Sequence, residues 1–393
     1  MLKGKKILLA VTGSIAAYKV PALVRLLVKE GAEIKVIMTP AATQFVAPLT
    51  LSTLSKNEVL YELSENNSWS NHVMLGRWAD LMLVAPLSCN SLAKMANGLC
   101  DNLFTAVYLS SVCKVVVAPA MDEDMWMHPS TQNNIQKIES FGNYVIPVEK
   151  GELASGLVGS GRMAEPDHIV EWLDRYFLLQ QQLKGKRILV TAGPTHEAID
   201  PVRFIGNHSS GKMGVAIAAA FAERGAEVTL VCGPLQVDVP HNVNTVKVTS
   251  AAEMYTACME VFPNCDIAVM SAAVADYTIE SISEQKIKKA EDELVLTLTK
   301  TKDILKSLGT MKKDHQLLVG FALETENEKA NAISKLHQKN ADFIVMNSLN
   351  DKGAGFGSDT NKITIFDRSG KEIEFELLPK RQLADVIINT ILK

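Results

Sequence analysis

Cysteine is scarce in this 393-residue chain and is never closely paired. The six cysteines (Cys89, Cys100, Cys113, Cys232, Cys258, Cys265) include no Cys-x-x-Cys, so neither a zinc site nor a disulfide framework is indicated. That usage suits a reducing cytosol. Met1-Leu2-Lys3-Gly4 runs directly into a strand-like segment, with no signal-peptide pattern and no apolar run of span length, so a cytoplasmic protein with no membrane segment is expected. An excess of basic charge is missing too. The formal net charge of -4 argues against general nucleic-acid affinity, which rests on Lys and Arg neutralising phosphates, and leaves small charged molecules as the expected partners. Two nucleotide signatures are also absent. There is no Gly-x-Gly-x-x-Gly, and the second strand ends at Met38-Thr39 without an acid for a ribose, which disfavours a nicotinamide dehydrogenase. Gly206 to Gly211-Lys212 has Walker spacing but continues into Met213 where Ser or Thr is required, which argues against a P-loop ATPase.

What is present is an ordinary globular composition, with 47% hydrophobic and 21% charged residues, in a chain longer than the ~250 to 300 residues that one core usually serves. Two domains are expected. Their starts echo one another: Gly4-Lys5-Lys6-Ile7-Leu8-Leu9 returns as Gly185-Lys186-Arg187-Ile188-Leu189-Val190. Each run leads through a Gly-bearing loop into an apolar helix, ending at Glu30-Gly31-Ala32-Glu33 or Arg224-Gly225-Ala226-Glu227, and then a second strand. Shared nucleotide-binding grammar explains this without a duplication. Short apolar runs at 81–85, 115–118, 267–271, 317–322 and 343–346, alternating with helices, predict parallel sheets covered on both faces. Near the end, 362–366 and 372–376 flank Asp367-Arg368-Ser369-Gly370, a hairpin signal. The fold expected is α/β with two doubly wound domains, at 1–185 and 186–393.

Gly13-Ser14-Ile15-Ala16-Ala17 follows the first strand, where backbone N–H groups at a helix start favour a phosphate, although a small-residue packing turn would look the same. Further along, Asn71-His72 precedes Trp78-Ala79-Asp80 and the run into Ala85-Pro86-Leu87-Ser88, followed by Asn97-Gly98. Then come Pro119-Ala120-Met121-Asp122-Glu123-Asp124-Met125-Trp126 and Gly159-Ser160-Gly161-Arg162-Met163-Ala164-Glu165-Pro166. This series, over residues 1–170, resembles the phosphopantothenoylcysteine decarboxylase family of flavoproteins. The resemblance implies a flavodoxin-like domain binding FMN through Gly13, Ser14, Ile15, Thr39, Ser88, Ala120 and Met121, with His72 as the active-site base. The substrate carboxylate has no neighbouring electron sink, and the flavin supplies one by transiently oxidising the adjacent CH2–SH. Two positions depart from the family pattern at this chemistry. Asp122 stands where most members have an Asn that contacts the substrate carboxylate, so it must be protonated or paired with a cation to avoid repulsion. Ser155 stands where many have a flap Cys that assists the final reduction and protonation, and a hydroxyl is a far weaker acid than a thiol.

In the second half, Thr191-Ala192-Gly193-Pro194-Thr195 continues through Asp200-Pro201-Val202-Arg203-Phe204-Ile205-Gly206-Asn207-His208-Ser209-Ser210-Gly211-Lys212-Met213-Gly214. A Gly/Ser loop entering a helix, with Arg203 and Lys212 adding positive charge, is suited to phosphates. Later come Ser271-Ala272-Ala273-Val274-Ala275-Asp276-Tyr277, Lys286-Ile287-Lys288-Lys289, Gly320-Phe321-Ala322-Leu323-Glu324-Thr325 and Gly355-Phe356-Gly357-Ser358-Asp359. Together these resemble phosphopantothenate–cysteine ligase over residues 186–393 and imply a Rossmann-like ligase domain. The implied reaction joins 4'-phosphopantothenate to L-cysteine after CTP, with Mg2+ on its phosphates, has activated the carboxylate as an acyl-cytidylate. Lys286 is the residue expected to stabilise the phosphoryl transition state. Asn207 and Arg203 are implied for the acyl substrate, and Ala272, Asp276, Asp303, Ile304, Phe321, Lys335 and Lys339 for the nucleotide. The resemblance further implies a homo-oligomer with trimeric contacts through the first domain and dimeric contacts through the second. A competing reading makes the first domain a non-catalytic flavin-binding or regulatory module.

Overall fold

A computed structural model describes residues 1–65, 68–288, 294–324, 326–348 and 357–393. The chain divides into two compact units, Met1–Leu178 and Leu179–Lys393.

The first unit is built on one parallel sheet of β1 (Lys6–Val11), β2 (Glu33–Met38), β3 (Val59–Leu60), β4 (Leu81–Leu87), β5 (Lys114–Pro119) and β6 (Tyr144–Val145), in the order 3-2-1-4-5-6. Setting aside the two-residue edge strand β3, the order is the 2-1-3-4-5 of a flavodoxin-like sheet. All seven residues of β4 are buried, as both faces of a doubly wound sheet require. Helix α1 (Val20–Lys29) buries Val20, Leu23, Val24 and Leu27, one apolar stripe at 3, 4 and 7 spacing. Past the sheet, β7 (Glu149–Glu152) and β8 (Val158–Arg162) form an antiparallel flap.

The second unit repeats the pattern and extends it. Strands β9 (Arg187–Ala192), β10 (Glu227–Cys232), β11 (Asn244–Lys247), β12 (Ile267–Met270), β13 (Leu317–Glu324), β14 (Phe343–Ser348), β15 (Thr360–Asp367) and β16 (Glu372–Pro379) lie in the order 11-10-9-12-13-14-15-16. The last two are antiparallel, as the hairpin signal at Asp367 to Gly370 predicts. Helix α2 (Lys212–Glu223) crosses β9 so closely that a Cβ at Gly214 would meet Ala192 Cβ at 2.6 Å and Thr191 O at 2.8 Å. In this second unit, too, buried apolar residues cover both faces of the sheet.

In both sheets the strand order reverses beside the first strand, and the loops there are fastened by a buried threonine. Thr12, fully buried just after β1, donates its hydroxyl to Pro86 O at 2.8 Å and accepts from Ser88 N at 2.8 Å. Thr191 in β9 accepts from Ala272 N at 3.1 Å, and Thr195 from Ala275 N at 2.9 Å. Removing such a hydroxyl strands a buried partner. Thr12→Val, nearly isosteric, is expected to destabilise the first unit by about 1–3 kcal/mol, read as faster native-state hydrogen exchange in β1 and β4 with the second unit's protection unchanged.

Candidate functional site

At the switch point of the first sheet, the loops after β1, β2, β4 and β5 enclose a cavity of about 930 Å³. Gly13, Ser14, Ile15, Thr39, Ser88, Ala120 and Met121 all line it, and so does Asp122. Ser14 caps a short 3-10 helix, Ile15–Lys19, accepting from Ala16 N at 3.3 Å. Gly13 is packed so tightly that an added Cβ would lie 2.8 Å from Ala41 Cβ. Thr39 Oγ1 is buried on the wall without a hydrogen-bond partner among the described residues. A phosphate-bearing, hydrogen-bonding planar ligand such as a flavin suits this combination of bare backbone, small residues and an unsatisfied hydroxyl.

Lys19, Lys94 and Asp101, outside the sequence motifs, join Arg162 and Glu165 of the flap motif in organising the charges around the cavity. Lys19, 6% exposed, donates to Met163 O at 3.0 Å and to Glu165 Oε1 at 2.9 Å. Arg162 reaches the same Glu165 oxygen at 2.5 Å. The hydrogen bond from Lys19 leads the causes that hold the Glu165 carboxyl below its usual range, with Arg162 adding to it against burial. Lys94 pairs with Asp101 at 2.5 Å. The flap closes over this arrangement through Met121 N to Gly161 O at 3.0 Å and Ser155 Oγ to Asp122 Oδ1 at 2.6 Å. Gly161 has φ +134, and a Cβ there would meet Met121 O at 2.3 Å.

Ser155 therefore joins the site through Asp122, although it does not line the cavity itself. His72 does not line it either. It opens a short helix, His72–Trp78, capped by Asn71, whose side chain accepts from Met74 N at 3.1 Å.

The second unit has two adjoining cavities of about 400 Å³ and 340 Å³ that share Ala272, Val274, Asp276, Phe321 and Lys335. The first gathers Ala272, Asp276, Asp303, Ile304, Phe321, Lys335 and Lys339. Lys339 donates to Asp303 Oδ2 at 2.5 Å, and Lys335 to Phe321 O at 2.8 Å. Burial opposes ionisation of Asp303, but the hydrogen bonds from Lys339 and from Lys306 N prevail and hold its carboxyl below the usual range. The second cavity is lined by Asn207, the 209–214 loop, Asn347, Asn361 and Lys380. Asn207 Nδ2 donates to Ala273 O at 2.9 Å. Lys212 is held by Asp359 Oδ1 at 2.6 Å and Gly357 O at 3.0 Å. Burial, with Lys212 close by, pushes the Lys380 amine down.

Arg203 and Lys286 are elsewhere than expected. Arg203 lines neither cavity. Its guanidinium donates to Asp200 Oδ2, at 2.9 Å from Nε and 2.5 Å from Nη2, and to Ile287 O at 2.8 Å. Ile287 N in turn donates to Asp200 Oδ2 at 3.1 Å. Asp200, part of the same loop motif but given no role by the sequence, holds Arg203 with its fully buried side chain. Lys286 is exposed on the segment so tethered and lines neither cavity. Lys289, Thr325, Gly355 and Phe356 lie outside the described residues. Among the described residues no group of three His, Cys, Asp or Glu side chains could hold a metal ion, and no helix is long and apolar enough to cross a membrane.

Residues 1–178 match the family described as Flavoprotein, and residues 183–393 match the DNA/pantothenate metabolism flavoprotein C-terminal domain. Fold, sites and matches together define a two-domain flavoprotein enzyme. The chain is 43% identical over 396 residues to the coenzyme A biosynthesis bifunctional protein CoaBC of Bacillus subtilis (strain 168), covering 100% of this chain and 97% of that one. It is 52% identical over 354 residues to a protein named cysteine/cysteine sulfinic acid decarboxylase from an unknown prokaryotic organism, covering 88% of this chain and 99% of that one. A crystal structure of the C-terminal domain of a CoaBC covers 54% of this chain and 96% of its own, at 45% identity and TM-score 0.46. The chain belongs to the family of bifunctional coenzyme A biosynthesis proteins CoaBC. It is a phosphopantothenoylcysteine decarboxylase in its flavoprotein domain and a phosphopantothenate–cysteine ligase in its C-terminal domain.

The Asp200 tether has a pH signature. The Arg203 hydrogen bonds, against burial and with backbone N–H groups of Val202, Ile287 and Arg203 assisting, hold the Asp200 carboxyl well below its ordinary value. A carboxyl depressed on folding stabilises fully above its unfolded pKa of about 3.9 and loses that contribution as pH falls toward the folded value. Asp200→Asn is therefore expected to lower urea resistance at neutral pH, with the gap to wild type narrowing steadily below about pH 4.

Proposed function

We propose that the first domain binds FMN in the cavity at the β1 switch point, and that the second activates 4'-phosphopantothenate with CTP before L-cysteine attacks. What carries the reading is the convergence of all seven flavin-expected residues and Asp122 on one cavity wall, beside the buried, unsatisfied Thr39 hydroxyl. Bound FMN supplies a reversible two-electron oxidation next to the substrate carboxylate, the electron sink that decarboxylation needs. Gly13, Ser14 and Ile15 would hold its phosphate, and Thr39, Ser88, Ala120 and Met121 would line the rest of its site. Asp122 faces the substrate, and Ser155 fixes the carboxylate by donating to it.

His72 is the proton-moving residue in this reading. It stands off its own chain's cavity, so a second copy supplies it. Ile15, Tyr18 and Met125 line the cavity yet remain 56%, 63% and 46% exposed, an apolar rim suited to such a contact, while Val73 and Met74 are exposed beside His72. This supports a homo-oligomer through the first domain, while trimeric contacts there and dimeric contacts through the second domain are what the family resemblance implies.

In the second domain, the cavity containing Asp303, Lys335 and Lys339 takes the nucleotide, and the adjoining one, lined by Asn207, takes the acyl substrate. Lys286 stabilises charge on the phosphoryl group, carried by a segment that Asp200 and Arg203 hold. Arg203 is thus a positioning residue. Magnesium would ride on the nucleotide phosphates. Six free cysteines accord with a cytoplasmic location.

A second reading of the first domain is favoured by Asp122. The relative named cysteine/cysteine sulfinic acid decarboxylase suggests that an unacylated cysteine also enters this cavity.

His72→Ala is expected to abolish carbon dioxide release from phosphopantothenoylcysteine while ligation stays intact. Equal loss of both activities in a folded, yellow protein contradicts the division of labour. Lys286→Gln is expected to depress cysteine-independent pyrophosphate release far more than CTP binding. Normal turnover of that variant at saturating CTP removes Lys286 from catalysis, and a wild type preferring ATP overturns the nucleotide assignment.

A further inference from the structure

The cations on the wall of the decarboxylase cavity are already matched by acids. Lys94 has Asp101, and Lys19 and Arg162 share Glu165. Asp122 differs. It occupies the N-cap position of a five-residue helix, Glu123–Met127, where an aspartate ordinarily turns to bond the helix's own N–H groups, yet its side chain makes no capping hydrogen bond. The carboxylate is directed instead to Ser155, a neutral partner that donates to Oδ1 at 2.6 Å. Among the described residues no lysine, arginine or histidine forms an ion pair with it. One oxygen is thus held by the flap, and the carboxylate keeps further acceptor capacity and an unmatched negative charge at the cavity wall.

Two kinds of substrate meet that charge differently. An N-acylated cysteine brings a carboxylate and a neutral amide nitrogen to the reacting end. A free amino acid brings the same carboxylate with an α-ammonium beside it, which donates to a carboxylate and offsets the repulsion. We propose that Asp122, oriented by Ser155, is the specificity-determining residue that recognises an α-ammonium, and so admits unacylated β-thiol amino acids to the decarboxylase cavity. The inference rests on the second reading above and names the group responsible for it. The bonds that change are the same for both substrates. The Cα–carboxylate bond breaks, carbon dioxide leaves and a proton takes its place on the α-carbon. Overall L-cysteine loses carbon dioxide to give 2-aminoethanethiol with no external oxidant: the two electrons lent by the CH2–SH carbon return to the product, with solvent water as the proton source in place of the flap thiol that Ser155 replaces.

The test uses the full flavin-loaded protein and two readouts. The first is calorimetric binding of L-serine and N-acetyl-L-serine, unreactive analogues that differ only at the nitrogen. Wild type is expected to bind L-serine about tenfold to hundredfold more tightly, the range for a hydrogen bond to a charged group. Asp122→Asn should erase that preference and Asp122→Glu retain most of it. The second is the ratio of kcat/KM for L-cysteine to that for phosphopantothenoylcysteine, which Asp122→Asn should lower by the same factor, chiefly through KM for cysteine. Equal binding of the two serines by wild type, or an unchanged ratio in Asp122→Asn, overturns the assignment. Preferential L-serine binding that depends on Asp122, without turnover of L-cysteine, upholds the recognition role and refutes the second reading.

Discussion

A buried hydroxyl where the strand order reverses is the constraint on which both domains depend. In each, the first strand lies between neighbours whose connections leave in opposite directions, and the loops that follow must part to leave a crevice there. Loops that part expose backbone groups to a poorly solvated interior, where an unsatisfied N–H or C=O is costly. Thr12 answers both groups, taking Ser88 N and giving to Pro86 O, and Thr191 with Thr195 does the equivalent for Ala272 N and Ala275 N. The crevices can therefore stay open because their floors are closed. The first domain's cavity and the two cavities of the second lie against these fastened loops.

Much of this was legible in the sequence because it is written in local chemistry. Short apolar runs alternating with helices gave parallel sheets, and a Gly-bearing turn between strand and helix gave the place for a ligand. Gly13, Thr39, Ser88 and Met121 lie on four different loops, yet each follows a strand of the same sheet, so the topology brings them to one wall. Position along a strand is information about position in space when all strands run the same way.

What the sequence hid was partnership. Arg203 reads as a free cation in a loop suited to phosphates, and nothing local reveals that Asp200, three residues earlier, lies buried and binds it together with the backbone of Ile287. Lys19 reads as the basic end of a helix-opening turn, and its burial against Glu165, 146 residues away, is a purely tertiary fact. Lys380, Asn361 and Asn347 look like residues of a C-terminal helix and two strands, and only the fold turns them onto a cavity. His72 is the converse case, a recognisable residue whose own chain does not bring it to the expected wall. Spacing indicates which residues share an element, whereas ion pairs across long separations decide which charges remain available.

The pinning of the flap by main-chain atoms carries a consequence for how this enzyme can change. Met121 N bonds Gly161 O, and the close approach at Gly161 leaves no room for a side chain, so backbone and one missing methyl group set the base of the flap, while Ser155 ties its tip to Asp122. The tip between Leu153 and Leu157 is closed by its own backbone hydrogen bonds. A residue such as Ser155 can then be exchanged with loss of its bond to Asp122 while the backbone bonds of the lid remain. Under such an arrangement the chemistry presented to the substrate is free to drift while the architecture stays put, and a change of reactivity at position 155 needs no compensating change in the fold.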